Sequence, residues 1–363
     1  MLQHVAGACV ILTAYYILHR QSRRGLFAEK SRHIYLVSDE SGNESLVLDA
    51  SLAGRRALFM LDTAYAGAPV VSETYAAVQS RCSWGDVRSR YRRCMRLATR
   101  TVDNNARNVS VDREMLRNIG CRAFTSGCTM RLMGIGETVE NQADMLLCPS
   151  IRFDGRRDVD VIDADIVVTN PLPGSPHILT MDYLLHRSPC VVLPRAEKIY
   201  FRLPISMASV MRPTFEFHAV RLVGGAFSVD FVVGGARMNL VIDTGASTTV
   251  SLSSTSLHKL QTCARASKSV VQVGVNGERV CSNIVATRVR LGRIDMGSVE
   301  VLANTTPVQG SDGYVGMGVL RSLDMWFEHG YMGVRRSGLA VRTIERARTS
   351  ACPSGTLPPA CAS

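Results

Sequence analysis

An all-β protein built as two tandem lobes is the architecture the sequence predicts. Three observations point to it. A strand–turn–strand passage running into Asp-Thr occurs twice. A glycine-containing hairpin pattern follows each copy. Short apolar runs are many, and long helical periodicities are few.

In the first copy, Leu46 to Leu52 leads to a turn at Gly54. Ala57-Leu58-Phe59-Met60-Leu61 then forms an apolar run fit for a buried strand. It ends at Asp62-Thr63-Ala64. In the second copy, Phe227 to Val233 leads to Gly234-Gly235, and Met238-Asn239-Leu240-Val241-Ile242 runs into Asp243-Thr244-Gly245-Ala246-Ser247. Each motif precedes a stretch ending in a hydroxyl residue, Val70-Val71-Ser72 and Thr249-Val250-Ser251. Leu132 to Glu137, with Gly134 and Gly136, matches Val271 to Glu278, with Gly274, Asn276 and Gly277. Asn-Gly between alternating apolar residues is a strong hairpin signal. Ile178-Leu179-Thr180 matches Tyr314-Val315-Gly316 near the end of each half. The halves span residues 34–203 and 213–343, joined by a linker near Pro204 and Pro213. A tail over 344–363, rich in Ser, Pro, Ala and Gly, reads as disordered.

Residues 1–33 read as an apolar segment and a charged linker. Val5 to Leu18 is apolar, and His19, Arg20, Arg23 and Arg24 follow it. The run is shorter than the roughly 20 residues of a full span. Arginines on its C-terminal side favour a helical membrane anchor with the body facing the cytosol. A mitochondrial targeting segment is the alternative, since no acidic residue precedes Glu29. A buried helix is the third reading.

Residues 79–131 form an insertion in the first half, with twelve arginines against four acidic residues. It reads as a solvated helical excursion from a hairpin; docking to a membrane or an acidic partner is the other reading. The net charge of +11 favours acidic partners. No zinc spacing and no basic stripe interleaved with aromatics points to nucleic acid. The eleven cysteines lack C-x-x-C spacing and define no metal site. Scattered His218, His258 and His329 suggest no metal either. Asn43, Asn108 and Asn304 head glycosylation triplets that occur readily by chance.

Asp-Thr-Gly alone is a weak signal. Here it follows an apolar strand, precedes Ala-Ser, and leads to a glycine hairpin and an apolar-apolar-Gly triplet. In that order the second half resembles the retropepsin-like aspartic proteases, and the first half resembles them more loosely. The resemblance implies two tandem retropepsin-like (acid protease) lobes. It implies that Asp243 is catalytic and Asp62 is its partner. Thr63 and Thr244 would brace the two lobes, with Ala64, Gly245, Ala246 and Ser247 completing the turns. Gly134, Gly136, Gly274, Asn276 and Gly277 would lie in flaps, and Gly316 and Thr180 would support the aspartate loops. Two facing carboxylates share one proton, because like charges a few ångströms apart cannot both ionise. No metal or cofactor is implied.

Three first-half residues depart from the family pattern: Ala64 for glycine, Tyr65 for a small residue and Thr180 for glycine. The expectation is an aspartic endopeptidase acting on a peptide or protein as a two-lobed monomer. A catalytically silent cleft that binds a peptide or partner protein is the alternative. Pairing of second lobes between two chains is a third arrangement. Membrane attachment through residues 5–18 is the expected location.

Overall fold

The computed structural model describes the chain from Ser31 to Gly338. It leaves out 66–68, 80–84, 105–121, 134–137, 154–164, 171–175, 186–188, 261–265, 275–276, 305–309 and some shorter stretches. For 98–104, 122–170 and 266–286 only the backbone elements are described. The apolar segment 5–18, the tail 344–363, Gly134, Gly136, Asn276, Asn43 and Asn108 lie outside the described residues.

The chain is mostly β. The first half contains β1 (Ser31–Ser38), β2 (Glu44–Leu52), β3 (Arg55–Asp62) and β4 (Val70–Ser72). Helix α1 (Val87–Asn104) precedes β5 (Arg122–Met133), β6 (Thr138–Cys148), β7 (Ile151–Phe153) and β8 (Asp165–Asn170). Then come β9 (His177–Thr180), α2 (Met181–Leu185), β10 (Cys190–Leu193) and β11 (Lys198–Tyr200). Helix α3 (Ile205–Met211) and a 3₁₀ turn over Arg212–Thr214 occupy the stretch expected to be a linker. The second half opens with β12 (Glu216–Ala219), β13 (Arg221–Val223), β14 (Ala226–Val233) and β15 (Ala236–Ile242). It continues through β16 (Val250–Ser253), β17 (Ala266–Gly274), β18 (Gly277–Leu291) and β19 (Ile294–Asn304). It ends with β20 (Gly313–Val315), α4 (Met317–Leu320), β21 (Leu323–Glu328) and β22 (Tyr331–Arg336).

Turn chemistry fixes the second-half hairpins. Gly224-Gly225 and Gly234-Gly235 all have positive φ, which two-residue hairpin loops require. They close β13–β14 at Val223↔Ala226 and β14–β15 at Val233↔Ala236. β15 then runs inward over Met238, Leu240 and Ile242, each fully buried.

The strand pairings of the two halves run side by side. β3 pairs in parallel with β9, and β15 with β20. β4 and β16 are antiparallel to β9 and β20. β4 pairs in parallel with β8, and β16 with β19. Ser72 lies opposite Asn170, and Ser253 lies opposite Asn304. The counterpart of Ser72 is thus Ser253, not Ser251 as the sequence suggested. Local capping agrees: Tyr75 N–H donates to Ser72 Oγ and Ser256 N–H to Ser253 Oγ, both at 3.2 Å.

The insertion differs from expectation at both ends. Arg122 to Arg131 already belongs to β5, a strand of the β5–β6 hairpin, so the excursion ends before Arg122. α1 is not a solvated excursion. Its buried Val87, Tyr91 and Cys94 pack with Val37, Val47, Leu58 and Tyr75. Arg88 forms an ion pair with Glu197 and lies 5.7 Å from the Tyr35 ring. Arg90 donates to Gln79 O at 3.0 Å.

A six-stranded sheet in the order β12-β22-β21-β10-β11-β1 joins the halves. β21 pairs with β10 through Cys190↔Phe327, Val191↔Trp326 and Val192↔Met325. One face joins the main core, through Val192, Ile199, Met325 and Phe327. The other holds Val191, Tyr200 and Trp326 beneath α3. β1 begins at Ser31.

Candidate active site

β3 and β15 each deliver an aspartate where an apolar, inward-running strand gives way to a turn. Asp62 is the last residue of β3, and Asp243 follows the end of β15. Both carboxylates are partly buried.

Two threonines lock the turns together. Thr63 Oγ1 donates to Ile242 O, and Thr244 Oγ1 donates to Leu61 O, both at 2.8 Å. Thr63 N–H donates to Thr244 Oγ1, and Thr244 N–H donates to Thr63 Oγ1, both at 3.1 Å. Neither threonine is exposed to solvent. Each hydroxyl both donates and accepts, so this buried polar cluster is satisfied from within, as buried groups must be. The acceptors Leu61 and Ile242 carry no sequence signal, because any residue supplies a carbonyl.

Gly245 brings the aspartates close. A Cβ there would lie 2.6 Å from Asp62 Cγ and Oδ2. A side chain there would displace the Asp62 carboxyl, which rests against the backbone of the other turn. Ala64 holds the corresponding station in the first half. Its methyl is accommodated against Ala226, Val241 and Tyr314.

Backbone donors orient the carboxyls. Ala64 N–H donates to Asp62 Oδ1 at 2.9 Å. Gly245 N–H and Ala246 N–H both donate to Asp243 Oδ1 at 2.9 Å. Burial lifts the pKa of each aspartate above the usual carboxylate range, and these N–H bonds offset part of the rise. Asp243 rises further, because the charge on Asp62 opposes a second negative charge beside it. The arrangement favours one proton shared by two carboxyls.

The supporting loops are built alike. Met317 N–H donates to Ala246 O at 2.7 Å, and Met181 N–H donates to Tyr65 O at 2.9 Å. A Cβ at Gly316 would come within 2.4 Å of Thr248 O, so glycine is required there. At Thr180 the sequence departs from the family's glycine. Thr180 is fully buried, and its Oγ1 accepts Tyr183 N–H at 3.4 Å. The threonine caps α2, and the bond to the Tyr65 carbonyl is kept. Ser247 is partly buried in the turn after Ala246.

Of the residues expected in flaps, Gly274 and Gly277 face each other at the end of the β17–β18 hairpin. In the first half, Met133↔Thr138 closes the β5–β6 hairpin. His258 and His329 are exposed, while His218 is half-buried with Nε2 3.8 Å from Glu216 Oε1. Among the described residues no cluster of His, Cys, Asp or Glu could hold a metal ion. No described helix is long and apolar enough to cross a membrane.

The sequence pattern of the aspartyl protease family matches residues 229–319. Among solved structures, the chain is similar to a retropepsin-like aspartic protease from Rickettsia conorii. The identity is 16%, covering 33% of this chain and 89% of that one, with a TM-score of 0.27. A comparison with curated proteins finds no match.

Proposed function

We propose, from the match of residues 229–319 to the aspartyl protease pattern and from the paired aspartate turns, that the chain is a single-chain aspartic endopeptidase. Its two lobes arise by duplication and contribute Asp62 and Asp243 to one dyad. The observation that carries this reading is the reciprocal pairing of Thr63 and Thr244, which sets the two aspartate turns face to face within one chain. The matched strand pairings of the halves support the duplication.

The chemistry follows from the shared proton. The ionised aspartate takes a proton from a water held between the carboxyls. That water attacks the scissile carbonyl, and the protonated aspartate donates a hydrogen bond to the developing oxyanion. A proton then passes to the leaving amine, which restores one proton to the pair. The β17–β18 hairpin supplies a flap that excludes water from the cleft.

The test is cleavage of a mixed peptide library by the full chain across acidic to neutral pH. Asp62→Asn and Asp243→Asn should each abolish cleavage. Activity that survives Asp62→Asn would point to pairing of second lobes between chains. A folded protein that cleaves nothing would favour a silent peptide-binding cleft.

A further inference from the structure

The two aspartate turns share their backbone bonds but differ in one side chain. Ala64 N–H and Gly245 N–H donate to their own aspartates at the same distance, 2.9 Å. One residue later, the carbonyls of Tyr65 and Ala246 receive Met181 N–H and Met317 N–H. Tyr65 and Ala246 therefore hold equivalent stations, one on each side of the dyad. Ala246 ends in a methyl that packs against Ala226, Val241 and Tyr314. Tyr65 places a phenol at its station, partly buried. Burial and the charge of Asp62 push the phenol pKa up to about 12, so its hydroxyl remains a donor throughout acidic and neutral pH. A buried tyrosine covers roughly 150–250 Å², far more than a methyl.

Resting on the peptidase reading, we propose that Tyr65 determines specificity: its phenol fills the side-chain position beside Asp62 that Ala246 leaves unfilled beside Asp243. The cleft therefore takes only small side chains on the first-lobe side and larger ones on the other. What the sequence presents as damage to one lobe becomes a device that makes a near-symmetric site directional.

The probe is a series of peptides with a non-hydrolysable hydroxyethylene at the scissile position. Each flanking position is varied in turn from Ala to Phe. Binding to the full chain, Tyr65→Phe and Tyr65→Ala is measured by calorimetry, and kcat/KM is measured on the cleavable peptides. At one position, on one side of the scissile bond, the wild type should bind the Phe peptide about 10-fold or more weakly than the Ala peptide. One or two methylenes command discrimination of that order in a pocket. Tyr65→Ala should remove it there and leave the mirror-related position unchanged. Tyr65→Phe should retain it, and Tyr65→Ser replaces Tyr65→Ala if the alanine variant does not fold. Discrimination unchanged in the small variants, relaxed equally on both sides, or missing because the wild type binds no peptide of the series would overturn the proposal. Size discrimination that Tyr65→Ala removes, with no cleavage by any variant, would sink the peptidase reading and leave this inference standing.

Discussion

At the scale of single residues, Gly245 and the paired threonines set the site. A Cβ at Gly245 would collide with the Asp62 carboxyl at 2.6 Å. Gly245→Ala should cut kcat/KM by about 100-fold or more, in line with the cost of misplacing a reacting group by about 1 Å. Ala64→Gly should leave kcat/KM nearly unchanged, because that station already accepts a methyl. Steady-state kinetics on one cleavable peptide checks both. Thr63→Val and Thr244→Val each orphan a buried N–H and a buried carbonyl. Each should cost about 1–3 kcal/mol of stability, and the double variant should cost less than their sum, since they break one shared cluster. Denaturant midpoints of the two single variants and the double variant check this. Asp243, Thr244 and Gly245 were legible in the sequence because the turn tolerates few residue types. Thr180 was less legible, because departure from a pattern does not reveal what the new side chain does. Thr180 turned out to cap a helix.

Among the elements, α1 shows how an arginine-rich segment can be structural. Glu197 ties it to the body: its carboxylate accepts Leu36 N–H at 3.1 Å and binds Arg88. Glu197 holds a φ of 51°, unusual for a residue with a side chain. Glu197→Ala should lower stability by about 1 kcal/mol, discounted for the partial exposure of the ion pair. Amide hydrogen exchange should show the loss concentrated in α1. Charge count alone could not distinguish this docked helix from a solvated one. Its buried stripe of Val87, Tyr91 and Cys94 was the available signal. β9 carries a second consequence. Buried His177 accepts Ser72 N–H through Nδ1 at 3.0 Å, and burial lowers its pKa to about 3. The unfolded chain takes up that proton near pH 6.5. Between those values the unfolded state binds more protons, so stability falls as pH drops, by up to about 1.4 kcal/mol per pH unit. His177→Asn, which keeps an acceptor and cannot titrate, should flatten that decline in urea unfolding measured from pH 7 to pH 4.

For the whole molecule, the two halves are bound by the six-stranded sheet as well as by the threonines. The proposed repeat was legible because its motifs recur in order. The joining sheet was not, because β10, β21 and β22 are ordinary apolar strands whose partners lie far away in sequence. The aspartate pair links the assembled protein to pH with a sign opposite to that of His177. Both folded-state pKa values are raised, so the folded state holds extra protons above the ordinary carboxylate pKa. That contribution is present at acid pH and is lost as pH rises through the raised values. Asp243→Asn should therefore raise stability at neutral pH while abolishing cleavage. Urea midpoints at pH 7 and pH 4 check the sign. On the proposed reading, one chain holds one complete dyad. Its most direct test is the stoichiometry with which a tight-binding hydroxyethylene peptide titrates the purified full chain, read by calorimetry beside sedimentation. One peptide bound per chain, on a monomer, is the expected result. One peptide per two chains, with binding confined to a dimer, would contradict it.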